Sequence, residues 1–301
     1  MKIHQIFTVL LLSIATLFTG CESYVEDIEG FKSESKLVAV SYISPQDTVL
    51  TVRLQLTQPA LGLQLTEEQR KVKNATVTIS DGSTVKALAY NPEKNHYEAD
   101  ARTWPIQVGK TYQLKVLSAV GNAEATCTIP NAAGITITDL QAPHTIETNY
   151  GHEMAKYIIS FKWNDDAGIK NYYRTLLYRT HSYTDPYTGT KTEYNEGIYG
   201  GYSDGTDLKD DEYTNNGIIS SNPVTYYSSN YNQDNGKPFK IYAVLVVADA
   251  HYYKYHKALS EQSSNNGNPF AEPVIMYTNI KGGLGVFAGY NQVVQSIEVQ
   301  Q

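Results

Sequence analysis

The fold turns on the stretch Phe239-Lys240-Ile241-Tyr242-Ala243-Val244-Leu245-Val246-Val247-Ala248. A strand with one wet face alternates apolar and polar residues. This one stops alternating after Tyr242, so both of its faces must be covered, as in a central strand. Asp249 follows as a helix N-cap, and Tyr252, Tyr255 and Leu259 then share one side of a helix near 250–262. The cluster Asn265-Asn266-Gly267-Asn268-Pro269 stops it. Further strands surround this core strand. Tyr157, Ile159, Phe161 and Trp163 alternate with Ile158, Ser160, Lys162 and Asn164, giving one aromatic face and placing Trp163 in the core. Residues 172–183 and 191–202 read as two long strands joined by the turn Asp185-Pro186-Tyr187-Thr188-Gly189. Closing strands are expected at 274–277, 285–290 and 293–299.

The first half carries the same period in shorter pieces. Leu50, Val52 and Leu54 alternate with Thr51, Arg53 and Gln55, and Val77 and Ile79 lead to the hairpin signal Asp81-Gly82. Tyr112, Leu114 and Val116 repeat the pattern, and Gly121-Asn122 turns the chain into the strand of Cys127. About seven strands between 36 and 130 fit an N-terminal immunoglobulin-like β-sandwich. Residues 61–72, with Thr66-Glu67-Glu68-Gln69, read as a helical turn or a crossover loop. Pro130-Asn131-Ala132-Ala133-Gly134 marks a boundary, and 134–301 reads as a second, tyrosine-rich β domain with one short helix. Of the 25 tyrosines, 20 follow residue 149. The expected fold class is therefore mainly β.

The N-terminus reads as a secretory signal over residues 1–20: Lys2 gives a positive start, and residues 6–18 carry no charge. That apolar run falls short of the roughly 20 residues a membrane span needs. Leu17-Phe18-Thr19-Gly20-Cys21 resembles the lipobox of bacterial lipoproteins, with Phe18 where leucine is usual, so Cys21 is expected to carry lipid. Residues 21–35 form an acidic tether. The net charge is −7, and −8 once Lys2 leaves with the signal, which argues against a nucleic-acid partner. Cys127 is the other of 2 cysteines and stands at an apolar alternation position, which makes it a buried hydrophobe and not a nucleophile.

Motifs for chemistry are sparse. Gly283-Leu284-Gly285-Val286-Phe287-Ala288 matches a dinucleotide fingerprint as a string, but no helix or acidic residue about 20 positions on can follow it. Its glycines are expected to permit a close strand approach. Asp204, Asp207, Asp210 and Asp211 concentrate carboxylates in one loop. This is a solvated acidic loop or, alternatively, a calcium site, since calcium takes six to eight oxygens. His251 and His256 are five apart, about 500° of helix, and so do not share a face as zinc ligands do. No nucleophile elbow or placed catalytic cysteine is present, so no enzyme activity and no cofactor are expected. Tyrosine is a good strand residue, but exposed tyrosines also suit recognition of glycans, peptides or proteins. Tyr183, Tyr187 and Tyr194 on the long hairpin are the candidate ligand-binding residues.

Several segments together resemble a known family. They include Asn74-Ala75-Thr76-Val77, Pro105-Ile106-Gln107-Val108-Gly109-Lys110-Thr111-Tyr112, Phe161-Lys162-Trp163-Asn164-Asp165, Asn268-Pro269-Phe270 and Asn279-Ile280-Lys281-Gly282-Gly283-Leu284-Gly285-Val286-Phe287. The chain resembles an uncharacterised outer-membrane lipoprotein family of the Bacteroidetes, commonly encoded beside TonB-dependent receptors. The resemblance implies an outer-membrane location and a receptor partner, and no site residues. In that phylum the acidic residues Glu22, Glu26 and Asp27 after the lipidated cysteine imply the cell surface. The expected function is a non-enzymatic accessory to a TonB-dependent receptor in ligand capture or uptake. The alternative is an independent adhesin or glycan-binding lipoprotein. Cys21→Ala is expected to abolish incorporation of labelled palmitate and to move the protein from the membrane to the soluble fraction. Labelling that persists contradicts lipidation at Cys21.

Overall fold

The structure, a computed structural model, describes residues 34–59, 63–149, 152–165, 168–198, 207–214, 217–229, 238–265 and 272–299. The signal 1–20, Cys21 and nearly all of the 21–35 tether lie outside the described residues. The chain divides into two units, and Lys36–Thr57 with Lys71–Gln301 carries the β architecture. Gln58–Arg70 belongs to the other unit. Its described part holds a single helical turn, α1 (Glu67–Arg70), where the Thr66 hydroxyl accepts from Gln69 N and the Gln69 side chain accepts from Thr66 N.

Seven strands occupy the first half: β1 (Leu37–Ile43), β2 (Val49–Leu56), β3 (Thr76–Ser80), β4 (Val85–Asn91), β5 (His96–Asp100), β6 (Thr111–Ser118) and β7 (Gly121–Thr128). Each alternates as the sequence does, and the buried positions meet in one core that includes Ala39, Leu50, Val52, Ile79, Leu114 and Cys127. Turn chemistry sets the connections. The Asp81 carboxylate accepts from Ser83 N and Thr84 N, and Gly82 takes φ 87° to close β3 onto β4. The hydrogen-bonded order is β1-β2-β5-β4 followed by β3-β6-β7. Strands A-B-E-D and C-F-G have these neighbours in an immunoglobulin constant-type sandwich. Here β3–β4 pairing joins the two groups into a single ladder.

The second half contributes β8 (Ile137–Gln141), β9 (His144–Asn149), β10 (His152–Asn164), β11 (Tyr172–Thr184), β12 (Lys191–Gly197), β13 (Asp207–Asp210), β14 (Ile218–Ser220), β15 (Val224–Ser229), β16 (Phe239–Ala248) and β17 (Leu284–Val299). Helix α2 (Ala250–Asn265) lies between the last two. As its composition requires, β16 sits between β11 and β17 and is covered on both sides. Ile241, Ala243, Leu245 and Val247 face a five-stranded sheet built on β10, whose Tyr157, Ile159, Phe161 and Trp163 are all buried. Val244, Val246 and Ala248 face Tyr252 of α2. Asp249 caps α2 by accepting from Tyr252 N at 2.8 Å, and its other oxygen accepts from Gly289 N of β17 at 2.9 Å. Burial, the largest effect on this carboxyl, pushes its pKa up.

Three expectations change. The two strands expected at 285–290 and 293–299 are one, because Asn291 and Gln292 keep pairing with Val247 and Val246 of β16. The Asn291 side chain is buried and accepts from Gln46 Nε2 at 2.7 Å, so its polar group is satisfied inside the strand. Residues 274–277 are not a strand; Ile275 is 92% exposed, so its apolar side chain does not signal a core position here. Helix α2 runs to Asn265, one turn beyond the expected end.

The boundary expected at 130–134 does not divide the hydrogen bonding. β17 pairs in parallel with β1 from Val38↔Leu284 to Ile43↔Gly289, then antiparallel with β16 from Ala248↔Tyr290 to Phe239↔Val299. One strand thus belongs to both halves. Its entry is backbone against backbone. A Cβ on Gly285 would stand 2.1 Å from Ala39 O of β1, and one on Gly289 would stand 2.7 Å from Thr128 O at the end of β7. Gly285 also takes φ +106°, a conformation L side chains rarely adopt. Asn279 completes the seam: its amide donates to Thr126 O and Phe287 O, and its Oδ1 accepts from Phe287 N.

Gly285→Ala is expected to destabilise the protein by about 3 kcal/mol or more, since strain and overlap add. Gly189→Ala, at φ +69° with nothing within 4 Å of the new Cβ, should cost only about 1–2 kcal/mol. Chemical unfolding midpoints measure both, and equal losses contradict the seam.

Candidate functional site

β11 outruns its neighbour. It pairs with β16 only from Tyr172 to Arg179, but with β12 from Tyr178 to Thr184. Beyond Arg179, β12 is its one ladder partner among the described residues. Among the described residues the β11–β12 hairpin therefore continues as a two-stranded ribbon past the end of the β16 ladder. β12 is exposed along nearly its whole length.

The tip is closed by its own sequence. The Asp185 carboxylate accepts from Tyr187 N at 2.7 Å and Thr188 N at 2.9 Å, Gly189 N donates to Asp185 O, and Gly189 supplies φ 69°. Bonds from the Thr188 and then the Tyr187 backbone hold the Asp185 carboxyl below its ordinary range. Pro186 and Tyr187 are thereby pushed to the apex, where Tyr187 is 96% exposed. Tyr194 lies across from His181 and is 48% exposed. Tyr183 pairs through its backbone with Thr192, and its side chain lies outside the described residues. All three candidate tyrosines thus belong to one hairpin.

The root of this arm is a residue that sequence reasoning missed. Arg179 is 1% exposed; its Nε donates to Glu196, its cross-strand neighbour, at 2.6 Å. Its guanidinium carbon lies 5.5 Å from the Tyr226 ring centre and 5.3 Å from that of Phe239. A buried guanidinium requires a counter-charge, and aromatic faces add attraction. The available signal was periodicity: Tyr173, Thr175, Leu177 and Arg179 occupy successive inward positions of β11.

The acidic loop is partly described. Asp204 and the Asp207 side chain lie outside the described residues. Asp210 caps a 3-10 turn over Asp211–Tyr213 by accepting from Glu212 N, and Asp211 accepts from Asn171 N at 2.9 Å. Nearby, Asp165 accepts from the Tyr173 and Thr214 hydroxyls. These carboxylates are engaged with the chain itself. Among the described residues no group of three or more His, Cys, Asp or Glu is placed to hold a metal ion. His251 and His256 go separate ways: His251 Nδ1 meets the Tyr277 hydroxyl at 2.6 Å, whereas His256 stacks on Tyr42.

Fold and site together define a mainly β protein with a projecting, tyrosine-tipped hairpin. No helix among the described residues is long and apolar enough to cross a membrane. The chain belongs to the family described as a domain of unknown function (DUF4249), whose family model matches residues 22–296. Comparison with curated proteins gives no match.

The amide protons of Tyr187 and Thr188 are expected to titrate with a midpoint below the ordinary carboxyl value of 3.8. The folded pKa is depressed, so the tip contributes stability above the unfolded value and loses it as pH falls through the folded one. NMR of the two amides reads this directly, and a midpoint at or above 3.8 contradicts the capped turn.

Proposed function

We propose that the protein is a non-enzymatic lipoprotein, held on the outer membrane by acylated Cys21, that assists a TonB-dependent receptor in capturing or admitting its ligand. The observation that carries this reading is the β11–β12 arm. A ribbon whose described side chains are mostly exposed adds little to a core, and an exposed tyrosine at its apex offers large, rigid, amphipathic contact at low entropic cost. The lipobox-like segment ending at Cys21 and the acidic residues after it support an anchored, surface-facing body. The family resemblance supports the receptor as partner.

A second reading is an independent adhesin or glycan-binding lipoprotein that uses the same arm; the 96% exposure of Tyr187 favours it, because a lone aromatic face can stack on a sugar. Purification of the tagged protein in mild detergent separates the two. Co-elution of a TonB-dependent receptor, reduced at least several-fold by Tyr187→Ala with stability unchanged within about 0.5 kcal/mol, is expected. Receptor-free protein that retains glycan binding contradicts the accessory role and supports the second reading.

A further inference from the structure

Helix α2 covers a polar cluster at the edge of the apolar layer beneath it, apart from the arm. Arg174 reaches it from β11. Its Nη1 donates to the Tyr252 hydroxyl at 3.1 Å and lies 3.2 Å from His256 Nδ1. The His256 ring stacks on Tyr42 of β1 with centroids 5.3 Å apart and packs against Tyr252 at 4.3 Å. Tyr255, the preceding residue on α2, brings a third phenol, close enough to Tyr42 for the two to interact electrostatically. Burial pushes the Tyr42 and Tyr255 phenols above their ordinary range. Tyr42, Arg174, Tyr255 and His256 are all part-exposed, so the cluster is open to solvent.

Its charge is unbalanced. Arg179, further along β11, has Glu196, but Arg174 has no carboxylate partner among the described residues, and its buried Nε makes no hydrogen bond. The nearby carboxylates are engaged elsewhere. Asp47 accepts from Ser44 N at 2.8 Å and from the Tyr290 hydroxyl at 3.2 Å, and Asp249 caps α2. The Tyr42 and Tyr255 hydroxyls find no hydrogen-bond partner among the described residues. Tyr252, by accepting from Arg174, keeps its own proton to donate. The Arg174 guanidinium and the Tyr252 phenol thus meet directly, and the Tyr42 and Tyr255 phenols stand beside them as further donors. Their complement is a compact group rich in acceptors and negatively charged, and arginine matches such groups in shape as well as charge.

We propose that Arg174, with the hydroxyls of Tyr42, Tyr252 and Tyr255, forms a binding site for an oxyanion, a carboxylate, sulfate or phosphate group borne by a ligand. The site lies apart from the arm and does not depend on the receptor reading. The test titrates full-length, detergent-solubilised protein with sodium phosphate, sodium sulfate and sodium acetate, with sodium chloride at matched ionic strength as the control. A saturable rise in melting temperature over the chloride control is expected with at least one oxyanion. Preference for acetate assigns a planar carboxylate, and preference for phosphate or sulfate a tetrahedral group. Arg174→Gln should weaken the apparent affinity about tenfold or more. Tyr255→Phe should weaken it several-fold while leaving melting in chloride unchanged, which keeps the test valid should Arg174→Gln fold poorly. No saturable response to any of the three anions overturns the proposal, as does a response that Tyr255→Phe and a folded Arg174→Gln both leave unaltered.

Discussion

A strand whose backbone closes onto two others where a Cβ would point can carry no side chain at those positions. Residues 282–289 meet this constraint with four glycines, each facing a carbonyl oxygen: Asn122 O and Thr128 O on the β7 side, Leu37 O and Ala39 O on β1. With the glycines in place, the intervening residues are free to pack. Phe287 enters the core of the first half, while Val286 and Ala288 enter the apolar layer beneath α2. The strand then continues beside β16 for ten residue pairs. Burial in one half is thereby linked to burial in the other through continuous hydrogen bonding. Asp249 strengthens the link, since one carboxylate starts α2 and holds Gly289 N.

The arm depends on this frame in a different way. A two-stranded ribbon is marginally stable alone in water. Here it extends a strand already paired to β16, and its base is pinned by Arg179 among Glu196, Tyr226 and Phe239. Desolvating that guanidinium costs free energy which the ion pair and aromatic faces offset. Past the pin the arm relies on cross-strand pairs and the Asp185 turn. It is a rigidly rooted, weakly buried projection, a form suited to recognition and of small value to the core.

Much of this was legible in the residues. Unbroken apolar character identified β16 as covered on both faces, the alternation around Trp163 placed that ring in the core, and Asp185 to Gly189 marked the hairpin tip. Other features were not, for physical reasons. The pairing of Leu284 to Gly289 with β1 spans some 240 residues, and no local propensity encodes a partner that far away. Asn291-Gln292 falls between the two strands expected at 285–290 and 293–299, yet β16 continues to pair with it, and Gln46 satisfies the buried Asn291 amide oxygen. Pro130 to Gly134 has linker chemistry and leads from the sheet of β7 to the five-stranded sheet of β8, yet the returning β17 still pairs with strands of both halves. Arginine on a strand reads as solvent-facing. Arg174 and Arg179 instead turn to opposite faces of β11, Arg174 part-exposed against α2 and Arg179 buried against the second sheet, which only the positions of those elements reveal.

Native-state hydrogen exchange tests the shared strand most directly. If β17 couples the two halves, the slowest amides of β1, β2 and β6 and those of β10 and β16 will open with one common free energy, while amides of β12 open at far lower cost. Distinct opening free energies for the β1–β7 core and the β16 core, or β12 amides as protected as those of β16, would contradict it.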